Sequence, residues 1–159
     1  MGSPEHKQKI WKMIKEIGVG MLVTEDGSDH RARPMQLVQD DYDGTLWFFT
    51  NTDAHKTDEV EDENNVCIAF SNPKTNTYVS LTGSAKLNFD KNLIEKFWSP
   101  FVAAWYPEGK MSSKVALLEI KIKHGEHWDS DTSKVGFLYQ VAKANVTGEK
   151  PNLGENQKF

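Results

Sequence analysis

Six short runs of strand-forming residues constrain the fold of this 159-residue chain more than any other feature. Most of the runs are rich in Val, Ile, Thr or aromatic side chains, and Asn, Asp, Pro and Gly separate the runs. With few helical stretches between them, such runs favour a small antiparallel barrel in a mainly β (α+β) fold. The first three runs are expected to form a meander, and Gly83 predicts a bend or bulge in the fifth. The runs are 20–24, 31–39, 45–50, 65–71, 77–89 and 115–128.

Three stretches with helical periodicity are expected to flank the barrel. The first, 5–17, places Ile10, Ile14 and Ile17 on one face and stops at Gly18. The others are 90–98 and 133–144, whereas 99–113 is expected to be irregular. One domain over 1–146 is therefore predicted, followed by a loosely ordered polar tail over 147–159.

The composition excludes several classes of function. The net charge of −4, from 19 basic and 23 acidic residues, argues against a general nucleic-acid surface. No apolar run approaches the roughly 20 residues of a membrane helix, and the start lacks a signal-peptide pattern, so a cytoplasmic protein is expected. Cys67 is the single cysteine, which excludes an internal disulfide. His124 and His127 lie three apart in a strand and would face opposite sides, so no metal site is expected.

An anion site is predicted where the third strand ends, in the segment LWFFTNTDAHK at 46–56. Asp53 can cap a helix whose first turn leaves backbone amides without internal partners. Those amides, the helix dipole and the cations of His55 and Lys56 together suit a phosphate group. The alternative is that His55 and Lys56 are ordinary exposed helix residues.

Arg31 and Arg33 form a second cationic feature. They lie two apart in a strand, so they face one side, while Ala32 and Pro34 face the other. A solvent-facing charged edge explains this pattern equally well, because Pro34 is compatible with an edge strand. Two guanidinium groups aimed at one place would instead suit phosphate or a carbonyl-rich ring. If this strand pairs with the third, the two sets of cations converge on one ligand.

The aromatic residues divide into core and pocket candidates. Phe48 and Phe49 are expected to be structural, and Trp98 is expected to pack on its helix. Trp105 lies in an irregular segment, where a Trp often lines a pocket or an interface. Trp128, at the end of the last strand, is a comparable candidate.

These motifs, taken in order, carry a resemblance to a known family. The segments are MLVTEDG at 21–27, RARPM at 31–35, LWFFTNTDAHK at 46–56, YVSLTGSA at 78–85 and FWSPFVAAWYPEG at 97–109. With them the chain resembles the pyridoxamine 5'-phosphate oxidase-like, FMN-binding split-barrel proteins, and within these the general stress protein 26-like group. The resemblance implies a six-stranded antiparallel split β-barrel with flanking helices, which forms a homodimer with two flavin sites at the subunit interface.

The resemblance also implies roles for individual residues. FMN and its phosphate would be contacted by residues of two strands and the following helix, and Trp128 would reach the cofactor from the partner subunit. The segment after Trp128 lacks the Arg-x-His motif of true pyridoxamine phosphate oxidases, so that activity is not expected. Trp98 and Trp105 would be walls of a substrate pocket. The remaining contacts are Arg31, Ala32, Arg33, Pro34, Met35, Thr50, Asn51, His55 and Lys56.

The leading functional hypothesis is an FMN-dependent oxidoreductase that acts on an unassigned small molecule, with no catalytic acid or base identified. A non-enzymatic flavin-binding stress or redox protein is the first alternative. The same fold with deazaflavin F420 or haem is the second, and a β-barrel interaction module without a chromophore is the third. The expected partners are a second copy of the chain and a small redox molecule, with neither nucleic acid nor membrane.

Overall fold

The computed structural model describes residues 3–52, 64–129, 134–151 and 155–159. Seven strands and four helices lie in these ranges. The strands are β1 (Val19–Asp26), β2 (Asp29–Gln36), β3 (Thr45–Asn51), β4 (Asn64–Asn72), β5 (Thr77–Asn88), β6 (Val115–Asp129) and β7 (Glu155–Lys158). The helices are α1 (Pro4–Ile17), α2 (Lys91–Phe97), α3 (Pro100–Trp105) and α4 (Lys134–Thr147). None of these helices has the length and apolar character that crossing a membrane requires.

All seven strands belong to one antiparallel sheet. Its order is β2-β1-β4-β5-β6-β3, and β7 adds to β6 beside this path. The two terminal strands, β2 and β3, approach each other without pairing, so the sheet curls into a barrel that stays open along one seam. The predicted antiparallel split barrel is therefore confirmed, with a seventh strand in addition to the six expected.

The predicted meander of the first three strands is wrong. β1 and β2 form a tight hairpin around Gly27, whose φ of 64° suits the turn. β3, however, pairs with the first half of β6 rather than with β2. The eight residues between β2 and β3 are too many for a tight hairpin, and they carry the chain across the open seam of the barrel.

Two further expectations need correction. The tail is not wholly irregular, because β7 pairs with β6 from Glu126 to Asp129. A polar strand of this kind is held by backbone hydrogen bonds, which leave little trace in the side-chain pattern. The segment predicted to be irregular contains α3, which starts at Pro100 and is capped by Ser99, whose hydroxyl accepts a hydrogen bond from the Val102 amide at 3.2 Å.

The inner face of the sheet forms the main core. Helix α1 closes on it with Ile10, Met13 and Ile14, and ends at Gly18 with a φ of 79°. The predicted amphipathic helix is thus confirmed, although Met13 rather than Ile17 completes its buried face. The strand residues of this core include Leu22, Met35, Leu46, Phe48, Ile68, Phe70, Leu81, Leu118 and Ile120.

A second core covers the outer face of β3 and β6. There Trp47 and Phe49 pack with Ile94 of α2 and Val102 of α3. Phe48 and Phe49 are both buried, on opposite faces of the same strand, so the prediction that they are structural is confirmed. Because both faces of β3 are covered, only the edge that points away from β6 has no neighbouring strand.

The first half of that edge is closed by a single side chain, Gln39. Its Nε2 donates to the Thr45 carbonyl at 2.8 Å, and its Oε1 accepts from the Trp47 amide at 2.8 Å. The Gln39 amide therefore takes the place that a neighbouring strand would occupy beside β3. The second half of the edge, from Phe49 to Asn51, lies beyond its reach.

A bulge is present at Gly83, but its extra residue lies on β6 rather than in the fifth run, because Thr82 pairs with His124 and Gly83 with Ile122, which leaves Lys123 without a counterpart on β5. The register between β5 and β6 shifts between Thr82 and Gly83. A Cβ at Gly83 would collide with the carbonyl oxygen of Lys121, so the two strands approach here more closely than any other residue allows.

Candidate functional site

A cleft lies on the outer side of the open seam, between the edges of β2 and β3 and helix α3. It encloses about 490 Å³, within the range of roughly 300–1,000 Å³ that is usual for small-molecule sites. The two strands contribute Pro34, Met35, Gln36, Phe49 and Asn51. The helical side contributes Phe101, Val102, Trp105 and Tyr106.

Four residues predicted from the sequence meet in this cleft: Pro34, Met35, Asn51 and Trp105. They come from the two opposite ends of the sheet order and from α3. The indole of Trp105 is 72% exposed, so it forms a wall of the cleft without being part of the core. Ala32 shares the exposed side of β2 with Pro34 but does not line the cleft.

Beyond the reach of Gln39, the β3 edge directs backbone groups towards this cleft. The Trp47 amide points away from β6, towards Gln39, whereas the Thr52 amide points towards β6 and donates to the Lys114 carbonyl at 2.8 Å. Peptide groups alternate in direction along a strand, so those of Phe49 and Asn51 point towards the cleft. An edge of this kind can hydrogen-bond a flat polar ring.

The two arginines of β2 lie on the opposite face of that strand. Arg31 and Arg33 share the inner side with Met35, and both are half-buried. Arg33 donates through Nη1 to the Thr24 hydroxyl at 2.6 Å. The predicted alternation of these side chains is therefore confirmed, but the arginines do not line the cleft itself.

The seam places the arginines close to the end of β3. Successive antiparallel pairings make β2 and β3 run in opposite directions across the seam. From Met35 back to Arg31, β2 therefore runs past the level of Asn51, where β3 ends. The predicted pairing of the two strands is wrong, although they face each other. His55 and Lys56 lie outside the described residues, so the convergence of the cations stays a prediction.

Thr50 is fully buried and shares the inner side of β3 with Phe48. Within the described ranges its hydroxyl oxygen has no hydrogen-bond partner. A buried polar atom without a partner typically costs about 1–3 kcal/mol. The inner side of the seam therefore carries an unsatisfied hydroxyl on the last residues of β3, on the same face as the arginines.

Trp98 packs in the core, as expected from its helix, rather than forming the pocket wall that the resemblance implied. Its ring packs edge-on against Phe49, with centroids 5.6 Å apart, and lies 6.5 Å from the ring of Tyr106. It belongs to the second core and does not line the cleft. Trp98 therefore supports two of the cleft walls from behind.

Several cleft residues were missed in the sequence, above all Phe101 and Tyr106. A helix starting at Ser99-Pro100 would have placed Phe101 and Trp105 four apart, on one face, and the cap and proline were visible beforehand. Tyr106 is half-buried. Its burial, followed by the nearby charge of Glu108, raises the pKa of its phenol to about 12. Its hydroxyl therefore keeps its proton at any physiological pH.

Trp128 is distant from the cleft of its own chain. Asn51 pairs with Val115 at the start of β6, and Trp128 follows thirteen residues later. At about 3.3 Å per residue this corresponds to roughly 40 Å along the strand. Trp128 is 39% exposed. The predicted contact from the partner subunit stays a prediction.

The described residues contain no group of three or more His, Cys, Asp or Glu side chains that could hold a metal ion.

Comparisons of sequence place the chain among known proteins. The family model described as "Pyridoxamine 5'-phosphate oxidase like" matches residues 5–152. Protein bli-3 of Neurospora crassa is 28% identical over 146 residues, which cover 85% of this chain and 70% of that protein. General stress protein 26 of Bacillus subtilis is 29% identical over 128 residues, covering 76% and 86%.

Solved structures share both the fold and part of the sequence. The general stress FMN/FAD binding protein of Xanthomonas citri is 32% identical with a TM-score of 0.74, covering 82% of this chain and 93% of that one. A structure assigned to general stress protein 26 of Jannaschia sp. CCS1 is 26% identical with a TM-score of 0.78, covering 99% of both chains. The chain belongs to the pyridoxamine 5'-phosphate oxidase-like family, and its relatives include proteins of the general stress protein 26 group.

Proposed function

We propose that this chain binds FMN at the open seam and acts as a flavin-dependent oxidoreductase on a small molecule. The observation that carries the proposal is the cleft between β2 and β3, which do not pair with each other, with arginines on the other face of β2. The FMN/FAD binding relative from Xanthomonas citri supports a flavin as the ligand.

The residues at the seam fit the two parts of FMN. The outer cleft offers apolar walls from Pro34 and Phe49 and backbone groups of the β3 edge, which suit a flat ring with polar edges. On the inner side, Arg31 and Arg33 offer planar donor groups of the kind that bind phosphate. The unsatisfied Thr50 hydroxyl is a further polar group on that side, and His55 with Lys56 would complete the phosphate site.

Bound FMN would supply the hydride chemistry of the reaction. The chain would contribute binding, orientation and electrostatics. Peptide groups of Phe49 and Asn51 would orient the ring, the aromatic wall of Phe101 and Trp105 would exclude water, and the arginine charges would favour electron-rich states of the ligand. Tyr106 would offer a hydrogen-bond donor that does not ionise at neutral pH.

We further propose a homodimer in which Trp128 completes the flavin site of the partner subunit. The distance along β6 between Trp128 and the cleft of its own chain supports this arrangement, because a role at the flavin then requires a second copy. Size-exclusion chromatography with light scattering should give twice the mass of the 18.1 kDa chain. A monomeric mass would contradict the homodimer. An FMN affinity that does not change in Trp128→Ala would contradict the role of Trp128.

The two parts of the site can be tested separately by titrating FMN and riboflavin into the purified protein and following flavin fluorescence. Arg33→Ala and Lys56→Ala should weaken FMN more than riboflavin, because only FMN carries the phosphate. Trp105→Ala should weaken both ligands alike. Met111→Ala is the matched control, since Met111 is also 72% exposed but does not line the cleft. A protein that is colourless and binds neither ligand would refute the proposal.

A non-enzymatic flavin-binding stress or redox protein is the second candidate. The observation in its favour is that Tyr106 is the only titratable residue among the described residues lining the cleft, and it keeps its proton up to high pH. This candidate predicts bound FMN without turnover when NAD(P)H and a panel of quinones are supplied. The absorption spectrum of the purified protein separates both candidates from deazaflavin F420 or haem, since a Soret band indicates haem.

A further inference from the structure

A cluster of two histidines lies where α1, β6 and β7 meet, away from the cleft. His127 of β6 is fully buried, and its ring centroid lies 5.1 Å from that of His6 in the first turn of α1. The ring of Phe159, which follows β7, lies 5.2 Å from His6 and 6.2 Å from His127. Three elements that are far apart in the sequence are thus joined through two imidazoles. We call His6, His127, Asp129 and Phe159 the histidine clasp.

The carboxylate of Asp129 contacts both His127 and the nearby Lys9. Asp129 contacts His127 Nδ1 through Oδ1 at 3.1 Å and the Lys9 ammonium through Oδ2 at 3.1 Å. β5 faces His127 with the uncharged Val79, and β7 places Gln157 in register with His127 and Glu155 in register with Asp129. The charged groups that act on His127 are therefore Asp129, Lys9 and His6.

The far nitrogen atoms of both rings lack partners. Nε2 of His127 and Nε2 of His6 are buried without a hydrogen bond in the part of the chain that the structure describes. When His127 donates through Nδ1 to Asp129, its Nε2 carries only a lone pair. A second proton would place an N–H donor without an acceptor and a positive charge beside Lys9. Burial, followed by the charges of Lys9 and His6, lowers the pKa of His127 against the opposing effect of Asp129.

The segment 155–159 contacts this cluster through Phe159. Gly125 and Phe159 exchange both of their backbone hydrogen bonds, at 2.7 and 2.8 Å. A Cβ at Gly125 would lie 2.7 Å from the Phe159 ring, so the ring sits directly on the glycine. The same ring contacts both imidazoles, that of His6 on α1 and that of His127 on β6.

We propose that the histidine clasp is a proton-operated lock, which holds the first turn of α1 and strand β7 against β6 while His127 is neutral and releases them when His127 gains a second proton. In the released state His127 is exposed to water and binds protons with the usual affinity near pH 6.5. The closed state binds them more weakly, so opening takes up a proton. Opening should therefore increase as the pH falls below about 6.5, by up to tenfold per pH unit.

Amide hydrogen exchange of the full-length protein between pH 7.5 and 5 measures this opening. After correction for the intrinsic exchange rate, protection of 155–159 and of the first turn of α1 should fall with pH, while the β4–β5 ladder stays protected. In parallel, an NMR titration of the wild type should give His127 a pKa below 6.5. Protection that does not depend on pH, or an ordinary pKa for His127, would overturn the proposal.

His127→Asn provides the decisive variant, because its amide can still donate to Asp129 but takes up no proton. It should open equally at pH 7.5 and 5. His124→Asn is the control, since His124 is exposed on the same strand, and it should keep the wild-type dependence. Equal pH dependence in the two variants would rule out the histidine clasp, and the wild-type titration decides the matter should His127→Asn fail to fold.

Discussion

Gln39→Ala tests most directly whether a single side chain closes the first half of the β3 edge at the open seam. The Gln39 side chain is almost fully buried and satisfies two backbone groups of β3, the Thr45 carbonyl and the Trp47 amide. Gln39→Ala leaves both groups without a partner in a buried setting. At about 1–3 kcal/mol for each of the two unsatisfied groups, the free energy of unfolding should fall by roughly 2–6 kcal/mol.

Urea denaturation followed by tryptophan fluorescence measures this loss. The midpoint should fall while the slope stays constant, since the surface exposed on unfolding does not change. Gln36→Ala is the matched control: its amide also bonds backbone carbonyls, of Gly18 at 3.2 Å and Leu37 at 3.3 Å, but at an exposed position. The control should cost less than about 1 kcal/mol, because water replaces the lost bonds.

Gln39→Glu separates the donor from the acceptor. It keeps an oxygen for the Trp47 amide but cannot donate to the Thr45 carbonyl once ionised. Burial should raise the pKa of the new carboxyl, so this variant should lose stability as the pH rises from about 4 to 7. If Gln39→Ala costs no more than Gln36→Ala, the side chain does not replace a strand and the closure of the β3 edge needs another explanation.

Three further predictions concern other parts of the fold. Gly83→Ala should lower the free energy of unfolding by about 1–3 kcal/mol or more, because the new Cβ meets the Lys121 carbonyl. Thermal unfolding measures this loss, and an unchanged midpoint would contradict the close approach of β5 and β6. Asp90→Ala should cost about 1 kcal/mol, because Asp90 Oδ1 accepts from the Asn92 amide at 2.9 Å, and Asp90→Asn should restore most of the loss. Ultraviolet titration should show one tyrosine with a pKa of about 12, and this transition should be absent from Tyr106→Phe. Because the unfolded chain loses that proton first, near pH 10, the wild type should lose stability between pH 10 and 12 more steeply than Tyr106→Phe.

The strands were predictable because side-chain patterns record which residues are buried. Phe48 and Phe49 lie in an apolar run, and the structure buries them on opposite faces of β3. The pairing of β3 with β6 was not predictable in this way, since backbone hydrogen bonds are the same for every residue pair. The same reason explains why β7 was missed in a polar tail.

The site was predicted in part for a similar reason. Pro34 and Met35 were implied by the family resemblance and Asn51 by its place at a strand end, and the structure brings them together with Trp105. Tyr106 was missed because its place in the cleft depends on how α3 folds back over β3. The opposite faces of Pro34 and Arg33 followed from strand alternation alone.

The pairing of β3 with β6 also affects how the chain is made. Leu46 lies opposite Ile120, so 74 positions of the chain separate the two partners. At about 5–20 residues per second, a ribosome takes roughly 4–15 s to synthesise the intervening segment. During that time the apolar residues of β3 have no partner strand, and a nascent chain in this state is open to aggregation. Non-local pairing of this kind also predicts slow folding, so slowing translation after β3 should lower the yield of folded protein.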